Sequence, residues 1–164
     1  MILTTKLTEM IDNKIYSRSK PVRIQRFVDF KLWMTLVNRL DRDDLTVKLY
    51  PHPVKFDDGT TTRPNIFIGA VEKKIKEFPN LPQLIVEDQY SAAKMAKYAA
   101  AGIPKCWIVE AATKSVTVYV LAGDFYVSTV YQGGDAIPIG LGSLLAISVD
   151  KLFQTNYAQE FGVS

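Results

Sequence analysis

Glu87 closes the apolar run Leu84-Ile-Val, and Lys94 follows it on an alanine-rich, helix-forming stretch. A carboxylate at a strand end, with a lysine a turn or two into the next helix, is a recurring way to work on a phosphodiester. Hard divalent cations take oxygen ligands, neutralise the scissile phosphate and turn bound water into hydroxide. A nearby lysine orients that water and offsets the charge developing on phosphorus. Upstream, Arg63-Pro-Asn65-Ile-Phe-Ile-Gly69 reads as a second strand whose entry position faces the same spot. A second acid is expected there, and Asn65 is neutral. Glu87 and Lys94 are thus the candidate catalytic residues, and Asn65 and Glu87 the candidate ligands of a magnesium ion. By spacing alone, the plainer reading of Lys94 is a solvated lysine on an alanine-rich helix.

The charge pattern supplies a second feature. Between Lys14 and Val28 stand five basic residues, Lys14, Arg18, Lys20, Arg23 and Arg26, and no acid. Arg18, Lys20, Arg23 and Arg26 form a candidate nucleic-acid-binding patch, able to neutralise phosphates and release counterions. The competing reading is a solvated loop and helix start. The net charge of +3 does not decide between them.

Positioning these groups requires a sheet with helices around it. Leu7, Met10 and Ile11 suggest a short helix over Lys6 to Lys14. Ile24, Val28, Leu32, Leu36 and Leu40, with Phe27 and Trp33, predict a long helix over Val22 to Leu40 that packs one apolar face on a sheet. Alternation predicts a strand over Leu45 to Tyr50, broken at Pro51-His-Pro53, with Val54 to Phe56 an edge segment and Asp57-Asp58-Gly59 a tight turn. The strand from Ile66 to Gly69 follows. Glu72 to Phe78 is a short helix or an exposed loop. Strand Leu84 to Glu87, helix Ser91 to Ala101 capped by Gly102, and strand Lys105 to Glu110 make a strand-helix-strand unit with Glu87 at the end of a parallel strand. Ser115 to Leu121 and Phe125 to Tyr131 form a hairpin. Ile137 to Ile139 and Leu144 to Ile147 are closing strands, and Val149 opens a last helix. The order predicts an α/β (α+β) domain with a mixed sheet flanked by helices.

Composition narrows the field. A chain of 164 residues, 48% hydrophobic and 23% charged, is expected to form one globular domain over residues 1–164. No run approaches the roughly eighteen apolar residues that span a bilayer, and the amino terminus lacks a signal-peptide pattern, so a cytoplasmic location is the expectation. The single cysteine, Cys106, excludes an internal disulfide and a cysteine-based zinc cluster; within an apolar strand it reads as a small hydrophobe. His52, flanked by prolines, lacks the neighbours of a metal ligand. Tyr98 and Trp107 read as core packing beside the site, and Glu110 either faces its rim or is an ordinary acidic strand end.

The order of these segments resembles the Uma family of putative restriction endonucleases, a branch of the PD-(D/E)XK nuclease superfamily. Asp58-Gly59 and Arg63-Pro64-Asn65-Ile-Phe-Ile resemble its turn and Arg-Pro-Asp strand. Pro82-Gln-Leu-Ile-Val-Glu87 resembles its Pro-Asp-Leu-Val-Val-Glu strand. Lys94-Met-Ala-Lys-Tyr98, Ala101-Gly-Ile-Pro-Lys-Cys-Trp-Ile-Val109 and Ser115-Val-Thr-Val-Tyr119 continue the match. The resemblance implies a restriction-endonuclease-like fold and a magnesium site made by the aspartate after Arg-Pro and the strand-ending glutamate, with the lysine moved to the helix. Glu87 and Lys94 keep that pattern, while Gln89 occupies the orthodox lysine position and Asn65 replaces the aspartate. The further acid that the family often carries just before its helical lysine has no counterpart near Ser91, and Lys20-Pro-Val-Arg-Ile24 lacks the family's histidine. Two functions follow. One is a magnesium-dependent endonuclease with a partly degenerate site, acting on DNA. The other is an inactive nuclease-fold module that binds nucleic acid or a protein, with Glu87 and Lys94 a structural ion pair. A homodimer is compatible with either.

Overall fold

The computed structural model describes residues 7–40, 44–70 and 81–154. The chain opens with a hairpin, β1 (Thr8–Ile11) and β2 (Lys14–Ser17), and not with the helix expected over Lys6 to Lys14. Asp12 and Asn13 both adopt positive φ, 49° and 66°. That pair of left-handed residues matches the twist of a two-residue hairpin turn, and aspartate and asparagine tolerate it better than most side chains. Burial then alternates: Glu9 and Ile11 are buried while Thr8 and Met10 are exposed. Leu7, Met10 and Ile11 fit helical spacing, but the turn chemistry at Asp12-Asn13 prevails.

α1 (Arg23–Arg39) is the long helix, and its inward face differs from the expected ladder. Val28, Leu32 and Leu36 are buried as expected, whereas Ile24 is 48% exposed and Leu40, at the carboxyl-terminal cap, packs against the core only partly buried. Gln25 and Asp29 turn inward in their place. Two polar side chains are tolerated there because they meet polar groups at the end of the sheet.

The remaining elements are β3 (Leu45–Leu49), β4 (Val54–Lys55), β5 (Thr61–Thr62), β6 (Ile66–Ala70), β7 (Leu84–Glu87), α2 (Ala92–Ala101), β8 (Lys105–Glu110), β9 (Ser115–Ala122), β10 (Phe125–Gln132), β11 (Ala136–Gly140), β12 (Ser143–Ser148) and α3 (Val149–Leu152). The segment Glu72 to Phe78 lies outside the described residues. Six strands form a mixed sheet in the order β10-β9-β8-β7-β6-β3, in which β7 and β8 are parallel and the other pairs antiparallel. α2 supplies the crossover that a parallel pair requires. A smaller antiparallel sheet runs β2-β1-β5-β4, and β11 pairs with β12. Among the described residues, β10 has no strand on its outer side. No described helix is long and apolar enough to cross a membrane.

Strand periodicity decides which side each functional group occupies. Leu84 and Val86 join the cluster under α1, with Ile66, Ile68, Trp107 and Val109. Ile85 faces the other way, into the cluster under α2 with Met95, Tyr98, Ile103 and Cys106. Glu87, two residues beyond Ile85, therefore falls on the α2 side. α2 starts sharply because the Ser91 hydroxyl accepts the Lys94 N–H at 3.3 Å, and it stops at Gly102, whose φ of 81° suits glycine. Cys106 is buried as expected, and burial pushes its thiol up to about 12.

The observed α1 face makes a direct prediction. Leu32→Ala should cost about 2–5 kcal/mol of stability, and Ile24→Ala no more than about 0.5 kcal/mol. Urea unfolding of the two variants measures this, and equal losses would put Ile24 back in the core.

Candidate functional site

Three segments converge at the carboxyl end of β7. Glu87 arrives from the strand, Lys94 from the first turn of α2, and Glu9 from β1. Lys94 Nζ lies 2.7 Å from Glu9 Oε2 and 2.9 Å from Glu87 Oε2, so one ammonium bridges two carboxylates. Both acids are nearly out of water, at 5% and 3% exposure. Glu9 Oε2 also accepts the Arg63 N–H at 2.6 Å. Tyr98, one turn beyond Lys94, donates its hydroxyl to Glu87 Oε2 at 2.9 Å and sits 3.0 Å from Thr62 Oγ1. Burial raises the Glu87 carboxyl above its ordinary value, opposed by Lys94. Burial, with the Glu87 charge adding to it, pushes the Tyr98 hydroxyl well above its ordinary value.

A second network surrounds Asn65, which is fully buried. Its Oδ1 accepts from Arg18 Nη2 at 3.0 Å and from the Asp88 N–H at 3.1 Å. Its Nδ2 donates to Asp29 Oδ2 at 2.7 Å. Gln25 Nε2 donates to Asp29 Oδ1 at 2.9 Å. Arg18 is held further by Nε to Arg63 O at 2.9 Å, Nη1 to Ser19 O at 2.6 Å, and the Tyr50 ring 4.9 Å from its guanidinium carbon. Burial raises the Asp29 carboxyl to about 6, against the lowering effect of its bonds to Asn65 and Gln25.

In front of both networks lies a cleft of about 650 Å³ between the β1–β2 hairpin, the loop into α1 and the start of α2. Glu9, Glu87, Lys94, Arg18, Lys20 and Gln89 line it, together with Glu110. Arg23 and Arg26 are exposed on the first turn of α1. Of the expected ligands, Glu87 lies at the cleft, while Asn65 stands behind Arg18, its nitrogen on Asp29 of α1 and its oxygen facing Arg18 and the Asp88 N–H. Magnesium demands near-octahedral oxygen donors, usually with carboxylate charge. Here the Asn65 oxygen already accepts two N–H donors, and Glu87 Oε2 already holds Lys94 and Tyr98. Among the described residues no group of three or more His, Cys, Asp or Glu side chains is placed to hold a metal ion. As they stand, these donors do not fit a divalent cation.

Glu9, Gln25, Asp29 and Thr62 are members of the site that the sequence pattern does not single out, and Tyr98 does more than pack, since its hydroxyl bonds Glu87. For Glu9 a signal existed: once Asp12-Asn13 is taken as a hairpin turn, Glu9 and Ile11 share a strand face. For Gln25 and Asp29 the only signal was their position on the Val28-Leu32-Leu36 side of α1, which their polarity argues against.

Removing Lys94 tests the bridge. Lys94→Met should cost about 3–5 kcal/mol near neutral pH, because two buried carboxylates lose their cation. A carboxyl whose pKa is raised on folding contributes stability below its unfolded value and loses it as pH rises through the folded value. The deficit of Lys94→Met should therefore shrink toward acidic pH; urea midpoints at mildly acidic and mildly alkaline pH measure it. A pH-independent loss would mean that the Glu87 carboxylate does not depend on Lys94.

Comparison with known proteins agrees with this architecture. A crystal structure described as a putative nuclease belonging to DUF820, from Anabaena variabilis, superposes with a TM-score of 0.72 at 18% identity, covering 93% of this chain and 93% of that one. The likeness establishes a shared fold. No curated protein matches the chain. The profile of Uma2, described as "putative restriction endonuclease", matches residues 4–149, most of the sequence, and the chain belongs to that family.

Proposed function

We propose that this protein uses its nuclease fold to bind the phosphodiester backbone of DNA in the cleft before Lys94, with the cation site closed. The observation that carries this reading is Asn65: buried, neutral, and with its oxygen already accepting from Arg18 and the Asp88 N–H. A fixed guanidinium beside the amide supplies positive charge where a hydrolytic enzyme would recruit it from a metal. Arg18 and Lys20 at the cleft, with Arg23 and Arg26 on the adjoining helix turn, present that charge to phosphates. Such contacts position a duplex without reading its sequence. The Glu9–Lys94–Glu87 bridge then serves to join β1, β7 and α2.

A second reading is supported by the 2.9 Å approach of Lys94 to Glu87 and by the description of the family. Under it the protein would be a magnesium-dependent endonuclease: Glu87 and Asn65 would hold the ion after giving up their present partners, the ion would supply charge neutralisation at the phosphate, and Lys94 would orient water.

The two readings separate in one set of assays. Wild type should retard linear duplex DNA and leave supercoiled DNA intact in magnesium or manganese. Neutralising Lys20, Arg23 and Arg26 together should weaken binding and flatten its dependence on log salt, by roughly 0.9 for each phosphate that is no longer neutralised. Metal-dependent nicking by wild type that vanishes in Glu87→Ala would replace the first reading with the second.

A further inference from the structure

The amide at position 65 is dictated from behind, by α1. The Ala111 N–H donates to Gln25 Oε1 at 2.9 Å, which fixes the Gln25 carboxamide and turns its nitrogen toward Val109 O at 2.8 Å and Asp29 Oδ1 at 2.9 Å. Asp29 is thereby an acceptor on that side. Its other oxygen, Oδ2, takes the Asn65 nitrogen at 2.7 Å, so the Asn65 oxygen must point forward, onto Arg18 and the Asp88 N–H. Two main-chain groups at the end of β8 thus orient the Gln25 end of the relay, and the Arg18 and Asp88 N–H donors orient its Asn65 end. An ionised aspartate at 65 would bring oxygen against oxygen at that distance, between side chains that are 0% and 3% exposed. Like charges so placed repel strongly in a low-dielectric interior.

We propose that Asp29 is a positioning residue: it selects the amide at 65, and through that amide it aims Arg18 into the cleft as a phosphate contact. Of the five N–H groups of a guanidinium, three bond within the described residues, to Arg63 O, Ser19 O and Asn65 Oδ1, and among those residues two are left for a ligand. The residues at 29 and 65 therefore form one unit, with a single negative charge between them. Asn65→Asp alone, the substitution the family pattern suggests, does not restore a working arrangement; the reciprocal exchange, Asp29→Asn with Asn65→Asp, keeps both the charge and the hydrogen bond. The Arg18 half of this inference rests on the DNA-binding reading above, and the pairing of 29 with 65 does not.

The test compares wild type, Asp29→Asn, Asn65→Asp, the double exchange and Arg18→Ala, measuring urea midpoints and binding to a short duplex DNA over a range of salt. Each single change at 29 or 65 should lower the midpoint, and the double exchange should return it close to wild type. Additive losses would overturn the pairing. The DNA arm discriminates by sign. If Asp29 acted only through its charge, removing it would tighten binding to a polyanion. If it positions Arg18, Asp29→Asn should weaken binding and flatten the salt dependence by roughly 0.9, as Arg18→Ala does. Tighter binding, or an unchanged slope where Arg18→Ala flattens it, would overturn the positioning role. Failure of wild type to bind DNA would remove the DNA-binding reading and the role of Arg18 with it, leaving the midpoints to decide the pairing.

Discussion

A carboxylate at the end of a strand buried on both faces has to find a cation, and much of this protein is arranged around that requirement. β7 is covered by α1 on one side and α2 on the other, and its last residue is Glu87. Leaving that charge unpaired would cost several kcal/mol. Lys94 meets it from α2 and, with the same nitrogen, meets Glu9 from β1. The hairpin, the central strand and the crossover helix are thus drawn to one atom. The position of the cleft follows, since these elements and the loop into α1 are its walls.

The second network has a different logic. Around Asn65 the members are alternately donor and acceptor, running from the main chain after β8 through α1 to Arg18. Its carboxylate, Asp29, is satisfied by two amides and carries no direct ion pair in the relay. The two networks adjoin along the segment before β6, where the Arg63 N–H serves Glu9 and Asn65 serves Asp29. Such fully connected polar groups favour one arrangement over its alternatives because each half-satisfied state is costly. Lys97 adds an outer tie, at 2.6 Å from Asp12 and 2.5 Å from Asp58, joining α2 to the turns of both antiparallel pairs.

Local chemistry in the sequence reported well on elements whose causes are local. Ser91 and Gly102 bracket α2, the alternation from Ser115 onward marks the β9–β10 hairpin, and the apolar run ending at Glu87 marks the central strand. Glu87 and Lys94 were legible as a pair because strand end and helix start are neighbours in sequence. The relay was not legible for the opposite reason: Gln25 bonds to Val109 and Ala111, 84 and 86 residues away. Nothing near Gln25 announces those partners. The amino-terminal hairpin sits between these cases. Its turn residues carried the information, but three apolar side chains at helical spacing carried a competing one.

β10 has a consequence of another kind. Eight residues, Phe125–Gln132, run along the outside of the large sheet without a charge or a proline, and Phe125, Val127 and Val130 are exposed. Charges, prolines and bulges are the usual means of keeping an edge strand from recruiting another chain. Among the described residues this margin of the sheet carries no charge, proline or bulge to oppose pairing with another chain.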